Sequence, residues 1–303
     1  MSNISNSIEL YCRSQEDCNI IKILTNPTDH LKLLGQKREP MKMENDPFYN
    51  IMGLMDNIPI DFEETKKFIS TKEEFETFLQ HIQNMLIKGY QNYVDDSVKM
   101  PNKLYRAVCQ NEIDFLASNK KIETFYSTDS NMDDLLGFII EKQEHDWNPK
   151  QRFILEIPIY EKIPFIDVDN DSKTIFEPNE IILLPSFNVS KLRLKNKGKS
   201  NLFGMYDEKY MTRYTCKISP QMVTPSSNIS EINKLHESLM INLTKYESHI
   251  QGYINHEIGD NIFKDNDFKN WIISLKRYIY LQRQYVYDCV LHDKLPEEIK
   301  KGK

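Results

Sequence analysis

The segment Glu180-Ile181-Ile182-Leu183-Leu184-Pro185 constrains the fold more than any other stretch of this sequence. Its continuous apolar run, half of it β-branched, predicts a short strand that is covered on both faces. Pro178 cannot donate a hydrogen bond to a central ladder, so the strand begins after it. Glu180 therefore places a carboxylate at the start of a buried strand. Considered alone, such a glutamate is more often an exposed residue than a functional one.

Between Pro101 and Pro220, apolar and polar residues alternate as they do in strands, whereas on both sides of this block the apolar residues recur at helical spacing. Within the block, short apolar runs bounded by prolines and polar turns predict roughly six or seven short strands with little helix. Such a block favours an α+β fold with a core of two small packed β-sheets. We predict strands at 103–108, 122–128, 153–159, 163–168, 181–184, 187–194 and 209–218.

Helices are predicted before and after the strands. Ser70 and Thr71 stand three residues before Glu73 and Glu74, which is the spacing of a capping box. The helix that follows buries Phe75 and Phe78 and ends at Gly89. After Pro225, two long amphipathic patterns predict an antiparallel helical hairpin. The second of these helices is rich in aromatic residues, which fit either core packing or a partner surface.

These patterns divide the chain into three parts. Residues 1–57 form a segment of unclear role, in which 14–24 can form a short helix. Residues 58–220 comprise a helical lobe and the strand block, and 221–303 form a C-terminal helical region. Met1–Asn6 lack the features of a secretory signal peptide, and no apolar run approaches the ~20 residues of a membrane span.

Composition argues against several classes of function. The net charge of −6 gives no basic footprint for nucleic acid. The five cysteines are odd in number and scattered, which predicts reduced thiols rather than a disulfide framework. Neither the cysteines nor the seven histidines have the spacing of metal ligands, so we expect no metal.

Arg106 stands in the middle of a predicted strand, with apolar neighbours on both sides. A guanidinium is costly to desolvate without a partner, so Arg106 needs an anion. That anion is either a protein carboxylate or a bound phosphate.

Three segments, in this order, carry a resemblance to a known family: Leu104–Val108 around Arg106, Phe125-Tyr126-Ser127-Thr128-Asp129, and Asn179–Pro185. Together they resemble the arginine–serine–glutamate class of mono-ADP-ribosyltransferases, which includes bacterial toxins of the cholera and C3 exoenzyme kind. The resemblance covers roughly residues 58 to 218. It implies an enzyme that uses NAD as co-substrate and transfers ADP-ribose to a protein side chain.

The resemblance also implies roles for individual residues. Glu180 would stabilise the positive charge that develops on the ribose, and Ser127 would hold Glu180 in position. Arg106 would contact the dinucleotide phosphates, with Ala107 and Thr128 as further NAD-binding residues.

Three departures from the family pattern limit the transfer of roles. Arg106 and Ser127 are close in sequence, Asp129 takes the third place of a Ser-Thr-Ser motif, and Pro178 stands two positions before Glu180. Glu177 remains as a candidate contact to the target side chain, with arginine slightly favoured as the modified residue.

Two other functions remain open. An NAD glycohydrolase would use the same site but transfer the sugar to water, and a non-catalytic module would bind a partner through the C-terminal helices. The tail 295–303 resembles the C-terminal signals of effectors delivered by type IV secretion, although a frayed terminus is its ordinary interpretation. We therefore expect a virulence effector made in a bacterial cytoplasm and delivered to the host cytosol, where its partner is a host protein.

Overall fold

The computed structural model describes residues 2–12, 71–118, 121–136, 152–172, 179–198, 211–221, 223–226, 228–254 and 266–293. Among the predicted features, Glu177, Pro178, the helix at 14–24 and the tail 295–303 lie outside these residues. The fold is α+β, as predicted. The chain divides into a helical unit (residues 1–31, 36–90 and 223–303) and a sheet unit (residues 32–35 and 91–222).

The helical unit contains α1 (Ser2–Cys12), α2 (Lys72–Val94), α5 (Ile229–Ile254) and α6 (Asn266–Leu291). The last four residues of α2, from Gln91 onward, belong to the sheet unit. The capping box at the start of α2 is confirmed, because Thr71 and Glu74 exchange two hydrogen bonds of 3.1 Å. The predicted end of this helix at Gly89 is wrong, since α2 continues to Val94. A glycine inside a helix costs only about 1 kcal/mol, which tertiary packing can override.

Helices α5 and α6 run antiparallel. The indole nitrogen of Trp271 donates to the Leu239 carbonyl oxygen at 3.1 Å, and Arg277 pairs with Glu231 earlier on α5. Trp271, like Tyr278 and Tyr285 on the same helix, is buried, which favours core packing over a partner surface for these aromatics.

A chain of buried polar side chains crosses the helical unit. The Ser7 hydroxyl lies 2.9 Å from Nδ1 of His81 and accepts a hydrogen bond from Asn84. On the same helix α2, which also carries His81 and Asn84, Gln83 donates to Gln282 of α6. These contacts satisfy polar groups that would otherwise be costly to bury, and they fix how α1, α2 and α6 pack.

The sheet unit begins with β1 (Lys103–Cys109), α3 (Gln110–Ser118), β2 (Lys121–Ile122) and β3 (Tyr126–Asp129). It continues with β4 (Arg152–Pro158), β5 (Phe165–Asp167), α4 (Val168–Asp171) and β6 (Glu180–Leu183). It ends with β7 (Phe187–Asn196) and β8 (Arg213–Pro220). The order β2-β7-β8-β4-β1-β3-β6-β5 is antiparallel except between β4 and β8.

The expected pair of separate small sheets is not confirmed, because these eight strands form one hydrogen-bonded sheet. The sheet is nevertheless strongly bent. In a flat sheet β2 and β3 would lie about 24 Å apart, yet only three residues connect them, and Ile122 and Tyr126 can be at most about 14 Å apart. The rings of Tyr126 on β3 and Phe187 on β7 accordingly meet at 5.6 Å between centroids.

The inner face of this bent sheet encloses the main core of the unit, which draws residues from all eight strands. Leu104, Leu155, Ile181 and Ile218 are among its fully or almost fully buried members. A second, smaller cluster covers the opposite face of β1 and β4, where Leu135 and Met211 pack with Ala107 and Ile154. No helix in the described part of the chain is long and apolar enough to cross a membrane.

Candidate functional site

The three predicted site residues lie on three adjacent strands. Arg106 is on β1, Ser127 on β3 and Glu180 on β6, and β3 hydrogen-bonds to both of the other strands. Asp129 of β3 pairs antiparallel with Tyr105 of β1 on one side and with Glu180 of β6 on the other. This pairing brings together residues that are distant in sequence. The fold therefore brings these residues to one region of the sheet.

Strand alternation divides these residues between the two faces of the sheet. Successive side chains point to opposite faces. Tyr126 and Thr128 face the main core, whereas Ser127 and Asp129 face outward with Glu180. Ser127 and Glu180 are thus diagonal neighbours on the outer face, a separation that side-chain contacts can bridge.

Thr128 was predicted to bind NAD, and the structure shows where its hydroxyl lies. The side chain is buried, and Oγ1 donates to the Ile181 carbonyl oxygen at 2.7 Å. This bond ties β3 to β6 one residue away from Glu180. Thr128 therefore contributes to the pairing that holds Ser127 and Glu180 on neighbouring strands.

Arg106 lies on the core side of β1, and its partner is a protein carboxylate. Nε donates to Oε1 of Glu112 at 2.8 Å, and Nη1 donates to the backbone carbonyl oxygen of Ser127 at the same distance. The guanidinium also stacks 4.4 Å from the ring centroid of Tyr126. Of the two anions that the sequence left open, the structure supplies the carboxylate. The predicted phosphate contact of Arg106 stays a prediction.

Glu112 is the acceptor that holds this buried group together. Its side chain is 4% exposed, and the same Oε1 accepts a second hydrogen bond, from the Tyr126 hydroxyl at 2.7 Å. Burial and the negative charge of Glu112 raise the pKa of Tyr126 well above its usual value, so the phenol stays neutral and donates. Sequence reasoning missed Glu112, although its place six residues after Arg106 on a short helix was a usable signal.

Asn179 fixes the backbone immediately before Glu180. Its φ of 66° lies in the left-handed region, which asparagine tolerates better than most residues. The amide nitrogen donates to Asp169 at 2.9 Å, the side-chain nitrogen donates to Asp134 at 2.6 Å, and the carbonyl oxygen accepts from Ser130 at 3.0 Å. Glu180 thus follows a turn whose position is fixed by three hydrogen bonds of Asn179.

Asp129 is the second carboxylate of this region. It is the direct cross-strand neighbour of Glu180, and one of its oxygens accepts from the Asn131 amide at 2.6 Å. Opposed like charges are unfavourable in a sheet. The sequence identified Asp129 only as a departure from the family motif, whereas the register of β3 and β6 places it beside Glu180.

The loop between β5 and β6 contains Glu177 and leads to Glu180. Its first turn, α4, is held because Asn92 donates to the Phe165 carbonyl oxygen and to Asp171, at 3.1 and 2.6 Å. Asn179 holds its other end. Glu177, the predicted contact to the target side chain, lies outside the described residues.

The described ranges contain no cluster of histidine, cysteine, aspartate or glutamate with the geometry of a metal site. In comparisons with known proteins, no family model matches the chain, and no curated protein is significantly similar to it in sequence.

Proposed function

We propose that this chain is an NAD-dependent mono-ADP-ribosyltransferase that modifies a side chain of a protein, with Glu180 as its catalytic residue. The observation that supports this proposal best is the convergence of Arg106, Ser127 and Glu180 on adjacent strands. Their sequence segments carry the family resemblance, and the pairing of β1, β3 and β6 gives those segments a common location.

Cleavage of NAD in this reaction requires a carboxylate at a fixed position. Breaking the bond between nicotinamide and ribose leaves the electron pair on the nicotinamide nitrogen and positive charge on the sugar ring. A carboxylate that is already oriented stabilises that charge mainly in the transition state. Glu180 is 7% exposed and follows the pinned turn at Asn179, so it has the restricted position that this role needs.

Ser127 and Arg106 serve this carboxylate in different ways. The Ser127 hydroxyl shares the outer face with Glu180 and would orient it by a hydrogen bond. Arg106 contacts the Ser127 backbone from the inner side, so we assign it as a positioning residue. The nucleophile of the target then attacks the anomeric carbon, and the new bond replaces the bond to nicotinamide.

The decisive experiment measures nicotinamide release and transfer of labelled ADP-ribose into a eukaryotic lysate. We expect wild type to label a discrete protein band, and mass spectrometry of that band to give the modified residue. Glu180→Gln should lower both signals at least about a hundredfold. Glu161→Gln changes an exposed glutamate of the same unit and should leave both signals unchanged. Undiminished labelling by a folded Glu180→Gln variant would disprove the assignment.

The products also separate the competing functions. Free ADP-ribose that accumulates at the same rate with and without lysate identifies a glycohydrolase. A folded wild-type protein that neither cleaves nor binds NAD leaves the non-catalytic binding module as the better description. Arg106→Lys tests the positioning role: a lower kcat with an unchanged KM for NAD supports it, whereas a raised KM supports the predicted phosphate contact.

A further inference from the structure

A cluster of cations surrounds one buried carboxylate on the outer face of the sheet. Glu156 of β4 is 4% exposed. Both of its oxygens lie 2.7 Å from Nζ of Lys195, while Lys103 and Arg213 approach to 3.4 and 4.0 Å. The two lysine side chains remain 43–44% exposed. Both lysines therefore lie at the surface of the unit.

The cluster contains more positive charge than Glu156 requires. Lys195 alone reaches both oxygens of the carboxylate, so Lys103 is in excess of its pairing. Burial alone would raise the pKa of Glu156, yet Lys195 and then Lys103 lower it, so the carboxylate stays charged. One negative charge beside two lysines leaves a net positive charge in the cluster.

The neighbouring strands extend this positive region. Residues 187–198 and 211–221, which contain β7 and β8, carry lysines and arginines but no aspartate or glutamate. The whole chain, by contrast, has a net charge of −6. Positive charge is thus concentrated at one end of the sheet, where it creates a local field for anions. The cations of these two strands are Lys191, Arg193, Lys195, Lys197, Arg213 and Lys217.

The register of the sheet connects this cationic end to Glu180. Glu156 pairs with Tyr105, Tyr105 pairs with Asp129, and Asp129 pairs with Glu180. Paired residues share a face, so all four lie in one row across β4, β1, β3 and β6. Three strand spacings separate the ends of the row, which is about 14 Å along the sheet. One end carries carboxylates and the other carries cations.

We propose that Lys103 and Lys195 form an anion site for the phosphates of a nicotinamide dinucleotide whose nicotinamide ribose lies at Glu180. This inference rests on the proposed function. The charges of NAD complement those of the row, because its nicotinamide ring is positive and its pyrophosphate is negative. Arg106 is on the opposite face and is engaged by Glu112, so the cations on the face of Glu180 are the better placed groups.

The test uses ADP, which carries the pyrophosphate but has no nicotinamide bond to cleave. Its binding is measured by isothermal titration calorimetry at low and high salt. The main variant is Lys103→Gln/Lys195→Gln in a Glu156→Gln background, where no buried carboxylate is left unpaired. A matched control, Lys99→Gln/Lys162→Gln, removes two lysines whose ammonium groups donate to backbone carbonyls elsewhere in the unit.

We expect wild type and the lysine control to bind ADP equally, with an affinity that falls as salt rises. Glu156→Gln alone should bind ADP several-fold more tightly, because it removes the competing internal anion. A purely structural role would not produce that gain. The triple variant should bind ADP roughly tenfold or more weakly than Glu156→Gln, since each cation a few ångströms from a phosphate contributes about fivefold in water.

Two results overturn the inference: wild type that does not bind ADP at millimolar concentration, or a folded triple variant that binds ADP as tightly as Glu156→Gln. Neither result affects the proposed function, which is judged by Glu180-dependent cleavage of NAD. Conversely, ADP binding through this cluster without any NAD cleavage supports the anion site and disproves the transferase.

Discussion

Breaking the pair between Arg106 and Glu112 should destabilise the region around Ser127 far more than changing an exposed charge. The two side chains are 18% and 4% exposed, so each single substitution leaves its partner charge largely buried. The cost of removing one member of such a pair is about 3–5 kcal/mol. We therefore expect Glu112→Leu and Arg106→Met each to lower the free energy of opening of β1 and β3 by that amount.

The double variant distinguishes this explanation from a simple loss of contacts. Replacing both charges by apolar groups of similar size removes the unpaired charge, so its cost should not exceed that of either single variant. The coupling energy in the double-mutant cycle is then at least about 3 kcal/mol.

Native-state hydrogen exchange, read by mass spectrometry on peptides of β1 and β3, measures these free energies locally. Asp114→Ala is the matched control, because its contact with Gln110 is on the same helix but exposed, and it should change stability by less than about 0.5 kcal/mol. Additive effects of the two single substitutions would refute the reasoning.

Three further predictions concern titrating groups. Burial, with a smaller contribution from Glu112, raises the pKa of Cys216 to about 12, so this thiol should resist alkylation at pH 8 until the protein unfolds; mass spectrometry of the labelled protein checks this. The pKa of Glu156 is lowered in the folded protein, so the stability that this carboxylate contributes is present above its unfolded pKa and is lost as pH falls through the folded pKa. The free energy of unfolding of wild type, measured with urea, should therefore fall at acid pH, and Glu156→Gln should reduce that dependence on pH. Burial lowers the pKa of His81, and it also lowers the pKa of His236, where nearby glutamates partly oppose the shift. The free energy of unfolding of the helical unit should therefore fall as pH falls below about 6.5, and it should fall less in the variant His81→Gln/His236→Gln. An unchanged pH profile in these variants would contradict the assignments.

Much of the local structure follows from the sequence. The capping box at the start of α2 forms between Thr71 and Glu74, at the predicted spacing. The strand that begins at Glu180 was predicted from its apolar run and flanking prolines, and all four of its residues are buried. These features depend on contacts within a few residues, which a linear pattern records.

Elements that depend on distant partners were predicted less well. Helix α1 was not predicted, because its serines and asparagines are weak helix formers; Ser7 and Tyr11, both fully buried, show that packing stabilises it. The single strand predicted at 122–128 is divided, since β2 pairs with β7 whereas β3 pairs with β6. Strand β7 continues to Asn196, two residues beyond the predicted strand, through its pairing with β8.

For the candidate site, the sequence by itself determined the residue types and their order: an arginine within one strand, a serine at the end of another and a glutamate that opens a third. Only the tertiary structure decided what these residues contact. Glu112 became the partner of Arg106, and Asp129 became the cross-strand neighbour of Glu180. The physical reason is that strand register and sheet curvature depend on pairing between distant segments, and a shift of one residue would reverse which side chains share a face.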